Sequence, residues 1–521
     1  MGDTTRPPRT KKRRFRRFFH RIINRITLTA LLVLIQFLWL FWLVVSLAQY
    51  AVWINFAFSL VSLALALYII RREENPAYKI SWLLVLCSLP LFGVLIYVLL
   101  SNKRLSRRLR RKLEGVEAQH PLPSTQPPST IPPRLQATCH YLAKHGGYPS
   151  YQNTDVDYFA LGEDWYRALL ADLETARSYI FMEYFILAEG SMLDTILDVL
   201  KRKAKEGVDV RIIYDDIGCE AAKPLSFVAE AERHGISCLA FNPMIPFISI
   251  VMNHRDHRKC TVIDGRVAYT GGINIADEYI NQKVRFGHWK DTGLRLHGDA
   301  VKSFVFMFLN LWNALRPTDR EYEPFVDGPV ADCLPDGRPA MVVPFSDSPL
   351  DDEHIGETVY LEILAQAQRY VYIFTPYLII DSEMQTALCT AAKRGVDVRI
   401  VTPAIPDKKI AFRLTRSYYP VLIRAGVKIY EYTPGFIHAK SFVSDDSVGV
   451  VGTINLDYRS LYLHFESATL FYGGDAVRAL RDDALSTMEQ SHLVELRETT
   501  RSRDLFQRFI DALLRALSPL F

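Results

Sequence analysis

Two stretches of this 521-residue chain carry the same five residues at the same spacing. The first runs from His257 through Lys259 and Asp264 to Gly271 and Asn274. The second runs from His438 through Lys440 and Asp445 to Gly452 and Asn455. In both, Lys follows His by 2 positions, Asp by 7, Gly by 14 and Asn by 17. A pattern repeated at this length marks a duplication. Brought together, the copies supply two imidazoles, two ammonium groups and two carboxamides, a set that suits a phosphodiester. One neutral histidine can attack phosphorus and hold the phosphoryl group covalently, while the other protonates the leaving alkoxide. An incoming alcohol, deprotonated by that second histidine, then takes the group away. The ammonium groups of Lys259 and Lys440 and the amides of Asn274 and Asn455 would offset charge on the non-bridging oxygens. This chemistry requires no metal and no cofactor. The 7 cysteines are scattered with no CxxC pair, which argues against a zinc site or a disulfide framework.

The elements that must hold these groups are strands. Each copy reads as a strand, a turn (Asp264-Gly265; Asp445-Asp446-Ser447) and a return strand. Residues i and i+2 of a strand share a face, so His257 points with Lys259 and His438 with Lys440. Asp264 and Asp445, although part of the motif, sit at the turns, where a carboxylate can bind nearby N–H groups. The flanking text also runs in parallel. Tyr179–Ile186 matches Tyr370–Tyr377, and Asp299-Ala-Val301 recurs as Asp475-Ala-Val477. Strands alternating with helices imply an α/β sandwich in each half, over 148–325 and 326–521. One departure stands out. Gly235 precedes His257 by 22 residues, whereas Gly426 precedes His438 by 12. The surplus includes the apolar, proline-broken stretch 243–252, which reads equally as a lipid-directed loop and as a packed connection. Glu183, Asp215 and Asp216, on or just after strands, are candidates for lining the site and equally for structural roles.

The net charge is only +5, but it is unevenly placed. Residues 1–25 form a basic flank. No charged residue occurs from Ile26 to Ile70, enough for two spans of ~20 residues with a turn near 49–55. Ile80–Leu100 is a third span-length segment interrupted by Pro90 and Gly93, so 26–100 holds two or three crossings. Lys103–Lys112 is basic again. The preference for cytoplasmic positive flanks wants an even number of crossings, and the count of segments is three. Residues 101–147 read as a basic and proline-rich linker. The last 18 residues, from Asp504, are apolar on one helical face and fit either packing on the core or lying on a membrane surface. The membrane segments, and the lack of an aromatic–basic stripe, argue against a nucleic-acid partner.

The paired His-x-Lys-x4-Asp motifs, each trailed by Gly-(Gly/Thr)-Ile-Asn, resemble the HKD signature of the phospholipase D superfamily. The likeness runs from about residue 70 to the C-terminus and is greatest to the bacterial cardiolipin synthases. Asn75 to Trp82, Leu89 to Gly93 and the Leu517-Ser-Pro-Leu520 ending are all similar to text of that family. The resemblance implies two pseudo-symmetric phospholipase D-like α/β sandwich halves forming one active site behind N-terminal transmembrane helices. It implies a multi-pass enzyme of the bacterial plasma membrane, and the basic flanks favour a catalytic region on the cytoplasmic face. Its partners would be phosphatidylglycerol and membrane lipids. The expected reaction moves a phosphatidyl group between two phosphatidylglycerol molecules through a phosphohistidine and releases glycerol. A phospholipase D-type hydrolase or a phosphatidylserine synthase of the superfamily is the alternative. The resemblance also implies His257 as nucleophile and His438 as general acid/base, with pseudo-symmetry leaving the reverse open. Asp291 and Glu466, which open the closing stretches of the two halves, would each orient a histidine tautomer.

Overall fold

β-branched and aromatic residues crowd Tyr179–Tyr184 and Tyr370–Phe374, and both form strands buried along their whole length. Each is the centre of a sheet in the computed structural model, which describes residues 25–46, 51–100, 104–123, 125–220, 227–243, 253–316, 322–326, 337–500 and 505–520. The first sheet has 7 strands, in the order Thr154–Phe159, Gly293–Gly298, Val267–Gly271, Lys259–Ile263, Tyr179–Tyr184, Asp209–Asp215, Ile236–Phe241. The second follows the same path through Met341–Asp347, His464–Tyr472, Val448–Gly452, Ser441–Ser444, Tyr370–Phe374, Asp397–Pro403 and Lys428–Tyr432, and adds Ser491–Leu493 at its edge. In both, three strands beginning with the central one run parallel and the motif side is antiparallel. The duplication in the text is therefore a duplication of topology.

The helices Val301–Leu315 and Asp475–Glu489, which follow the two closing strands, lie between the sheets. Phe304, Phe308 and Trp312 of one, and Val477, Leu480 and Met488 of the other, share a single core with Phe181, Phe374 and Phe471. Phe181 stacks on Phe308 with ring centres 4.5 Å apart. The two halves therefore share a hydrophobic core. The stretch expected to be a linker is partly built into it. Arg104–Gln119 is a helix whose Leu113 joins that core, and Ile131, Leu135, Cys139 and Leu142 pack on the second half.

The N-terminal region forms four helices, Arg25–Ser46, Ala51–Arg71, Pro76–Ser88 and Pro90–Leu100. Among the fully described residues no helix is long and apolar enough to cross a membrane. The third span-length segment is split. Leu89, at φ −137° and ψ 70°, leaves the helix because the ring of Pro90 disfavours helical geometry at the residue before it. The two pieces fold against each other. A β-carbon at Gly93 would fall 2.8 Å from the Val85 carbonyl oxygen, so only glycine permits this approach. Trp82 and Leu86 of one piece and Val94 and Tyr97 of the other pack with Ile69. The corner is fastened to the second half. Asn75 caps its helix and donates to Asp381 at 2.9 Å and to the Tyr462 hydroxyl at 2.8 Å. Ser81 donates to the Ala516 carbonyl at 2.6 Å. The C-terminal helix Leu505–Leu517 packs on Lys409–Arg424 through Arg413–Asp511 and through Arg515 over the Tyr418 ring, as the simpler of its two readings expects. Its Phe506 and Phe509 are exposed. The basic flank 1–24 and residues 244–252 of the apolar insertion lie outside the described residues.

Candidate active site

Both motif histidines stand at the end of a short parallel ladder that crosses between the halves. Arg255–Asp256 pairs with the start of the second half's closing strand, Arg255 opposite His464 and Asp256 opposite Phe465. Gly435–Ile437 pairs with His288–Lys290 of the first half, Ile437 opposite Lys290. One residue further along each ladder, His257 meets Glu466 and His438 meets Asp291. The backbone continues the pairing, because His257 N–H donates to Phe465 at 2.9 Å and His438 N–H to Lys290 at 2.7 Å. The Nδ1 of His257 lies 2.9 Å from both Glu466 oxygens, and that of His438 lies 2.7 Å from Asp291 Oδ2. Each histidine is therefore oriented by a carboxylate of the opposite half.

At His257 this geometry sets the tautomer, while at His438 the Nζ of Lys440 also lies 2.8 Å from Nδ1, beside the Asp291 carboxylate at 2.7 Å. An Nδ1–H directed at a carboxylate leaves the lone pair on Nε2. Burial holds His257 well below the usual imidazole range despite the Glu466 carboxylate. Burial, with the Lys440 charge beside it, brings His438 down to about 4. Burial alone would raise Glu466, but the His257 imidazole holds its carboxyl well below the usual range. Both rings are thus neutral near pH 7. The lysines converge with them. The Nζ of Lys259 donates to the His257 carbonyl at 2.6 Å, and Lys440 donates to the His438 carbonyl. Both ammonium groups feel the Glu466 and Asp291 charges, and each lysine is almost wholly buried.

The remaining motif residues divide. Asp264 accepts from the N–H groups of Arg177, Ser178 and Tyr179 at 2.8 Å each, and Asp445 from those of Gln368, Arg369 and Tyr370 at 2.8 to 2.9 Å. Five residues beyond the lysines, they sit about 17 Å along the strand from the ammonium groups. The two motif carboxylates thus occupy the turn positions expected of them, away from the histidines. They fix the turn and the entry to the central strand. Asn274 is also committed elsewhere, since its Oδ1 accepts from Ile186 N–H at 3.0 Å and its Nδ2 donates to the Tyr279 hydroxyl at 2.7 Å. Asn455 keeps a buried Oδ1 with no partner among the described residues. Of the other candidates, Glu183 points away from the site. It pairs with Arg258 at 2.6 Å on the opposite face of the motif strand, and Asp256 meets the same guanidinium at 3.1 Å. Asp215 accepts from Asp256 N–H at 3.1 Å and so steadies the ladder that carries His257.

Arg258 thus holds two fully buried carboxylates on that face, the only cation among the described residues to do so. Its removal strands them. Arg258→Met is expected to lower stability by about 3–5 kcal/mol, and pairing it with Glu183→Gln to recover part of the loss. Thermal unfolding of the solubilised protein checks this, and an unchanged midpoint for the single variant would refute it.

With the geometry in place, the likenesses become informative. The family described as cardiolipin synthase, PLD-like domain matches residues 169–284 and 360–486, one segment over each motif. The phospholipase D-nuclease N-terminal family matches 60–102. An uncharacterised protein of Streptococcus mutans serotype c is 43% identical over 461 residues, 87% of this chain and 99% of that one. A cardiolipin synthase of Alkalihalophilus pseudofirmus is 32% identical over 476 residues, 90% of this chain and 93% of that one. The chain belongs to the cardiolipin synthase family. Its fold is also that of the phosphatidylserine synthase of Haemophilus influenzae Rd KW20, with TM-score 0.53 over 70% of this chain and 93% of that one at 15% identity.

Within this cardiolipin synthase-family centre, the structure adds residues that motif spacing did not reveal. Trp289 and Tyr279 flank His438, with ring centres 5.6 and 5.4 Å away. Phe185 and His464 flank His257 at 5.0 and 5.5 Å. The Thr453 hydroxyl donates to Glu466. At the equivalent place in the first half stands Gly272, where a β-carbon would collide with the Asp291 carboxylate. Trp289 and His464 each lie two residues before a carboxylate, so strand alternation from Asp291 and Glu466 would have found them.

Proposed function

We propose that this protein is a cardiolipin synthase acting on phosphatidylglycerol, with His257 and His438 as its two catalytic histidines. The observation that carries the reading is the crossed pairing of two neutral imidazoles with two carboxylates. His257 Nε2 attacks the phosphorus of one phosphatidylglycerol, and His438 gives a proton to the departing glycerol oxygen. His438, neutral at rest, takes its first proton at Nε2 from solvent; thereafter the proton it removes from each acceptor hydroxyl is the one it gives to the next departing glycerol, and the phosphate clamp of Lys259 and Lys440 offsets the developing charge. The phosphatidyl group then rests on His257. The hydroxyl of a second phosphatidylglycerol loses its proton to His438 and attacks phosphorus, giving cardiolipin and free enzyme. The N–H donor of Asn455, its Nδ2, is assigned to a non-bridging oxygen, and Asn274 braces the loop behind the site. The two halves are assigned to 148–325 and 326–521. Purified protein with phosphatidylglycerol vesicles is expected to yield cardiolipin and equimolar glycerol by mass spectrometry. Phosphatidic acid instead would make it a hydrolase, and product formed only with serine and an activated lipid would make it a phosphatidylserine synthase.

The lysines predict the pH profile. Burial brings Lys259 down to about 8 and Lys440 to about 7. An ammonium with a lowered pKa is charged below that value and neutral above it. The clamp therefore loses charge as pH rises through this range, and kcat/KM is expected to fall from about pH 7 upward. His257, held below its ordinary value, stays neutral under mildly acidic conditions, so the acid limb falls below pH 6.5. A rate that stays flat to pH 10 would remove the lysines from the clamp.

Taken over their full 22 and 21 residues rather than their fully described parts, the helices Arg25–Ser46 and Ala51–Arg71 reach about 30 Å each, the thickness of a bilayer core. Read as two crossings, with the split segment 76–100 turning back on the side of the catalytic halves, they put both basic flanks on one face. That removes the odd count and favours the cytoplasm. A cysteine placed at Arg107 should react with an impermeant maleimide only after cells are permeabilised, and labelling in intact cells would invert the arrangement.

A further inference from the structure

One of the differences between the two centres adds an imidazole to one of them. Two residues before each orienting carboxylate stands Trp289 at one centre and His464 at the other. His257 thus has a second imidazole beside it that the transfer does not use. The His464 side chain is 10% exposed, yet neither of its ring nitrogens has a hydrogen-bond partner among the described residues. Its Nδ1 lies 3.7 Å from Glu466 Oε1, and the same oxygen lies 2.9 Å from His257 Nδ1. One donor atom from each of the three residues falls within 4.8 Å of the other two, and no second cluster of this kind occurs among the described residues. In tetrahedral zinc sites, with metal–ligand bonds of about 2.0–2.2 Å, donor atoms stand about 3.4 Å apart, so small side-chain adjustments would close the set.

We propose that His257, His464 and Glu466 form a binding site for a divalent transition ion of the zinc class, and that filling it switches the centre off. The inhibitory half of this rests on the reading of His257 as nucleophile. Two imidazoles and one carboxylate favour zinc, cobalt or nickel over calcium or magnesium, which prefer all-oxygen shells. To bind the ion through Nδ1, the neutral His257 ring moves its single proton to Nε2 by way of solvent. The lone pair that would attack phosphorus is then gone. Glu466 exchanges its imidazole partner for the metal, and the ion releases water ligands. Nothing is oxidised or reduced. The fourth position stays open to water or to a phosphoryl oxygen. At the other centre, Trp289 leaves only one imidazole and one carboxylate, so the stoichiometry is one ion per chain.

The test titrates Co²⁺ into chelator-treated, full-length protein in detergent. One equivalent is expected to give visible d–d bands without the near-ultraviolet charge-transfer band of a thiolate, reversed by a chelator. His464→Asn and His464→Trp, the second a copy of the other centre, are expected to lose those bands. In parallel, Zn²⁺ is expected to inhibit phosphatidyl transfer. Its inhibition constant, taken for each variant against its own metal-free rate, should rise about ten-fold or more, the least that disturbing a metal's shell costs. Unchanged Co²⁺ bands in both variants, a thiolate band, or equal Zn²⁺ potency would overturn the proposal. A protein that binds Co²⁺ as expected but transfers no lipid would fault the functional reading and leave the metal site standing.

Discussion

His257→Ala is expected to lower phosphatidyl transfer on the order of 10⁴-fold or more, as is His438→Ala, because members of a catalytic unit fail together. The two variants should nevertheless stop at different points. Without His257 no nitrogen is left to take the phosphatidyl group, so no phosphohistidine forms. Without His438 the first attack still has its nucleophile, but the acceptor alcohol has no base. A substrate with a leaving group that needs no proton should therefore trap a phosphatidylated His257 in the His438→Ala protein. Peptide mass spectrometry of acid-labile phosphohistidine reads this directly. Finding the group on His438 in the His257→Ala protein would exchange the two roles.

The second large effect belongs to the carboxylates. Glu466→Gln keeps the shape of the side chain but offers an amide N–H to His257 Nδ1, which selects the tautomer protonated at Nε2. Loss of the correct tautomer through an acid-to-amide change costs about 10⁴-fold in the serine-protease triad, and a comparable loss of about 10³–10⁴-fold is expected here. The crossed geometry adds a sharper expectation. Glu466→Gln, in the second half, should behave like loss of the first-half histidine and form no phosphohistidine. Asp291→Asn, in the first half, should behave like loss of His438 and accumulate it from the activated substrate. If each acid instead mimicked the histidine of its own half, the pairing at 2.9 and 2.7 Å would not be the one used in turnover.

Much of this centre is legible from local pattern. The repeated His, Lys, Asp, Gly and Asn identify a duplicated hairpin, and strand alternation places each His beside its Lys. The Asp turns follow from the ability of a carboxylate to gather backbone N–H groups, which Asp264 and Asp445 do. Pro90 and Gly93 mark where the third apolar segment breaks, although its length alone suggests a crossing. The proline-rich stretch before the catalytic region misleads for a related reason. Prolines there end helices without preventing burial, and Ile131 and Leu135 fill gaps on the second half that composition does not register.

By itself, then, the sequence determined the duplicated α/β halves, the chemistry of the motif pair and the identity of the carboxylates available to it. These follow from periodicities of two and 3.6 residues and from side-chain chemistry, which act over short separations. Only the tertiary structure decided which carboxylate serves which histidine, because the partners are 209 and 147 residues apart. That choice is made where the two sheets, packed on one shared core, meet in two short parallel ladders. The same packing ties up Asn274, leaves Asn455 open, and sets Trp289 at one centre against His464 at the other. A near-symmetric sequence thus becomes an asymmetric site, because contacts between the halves depend on the register of the sheets and not on either motif alone.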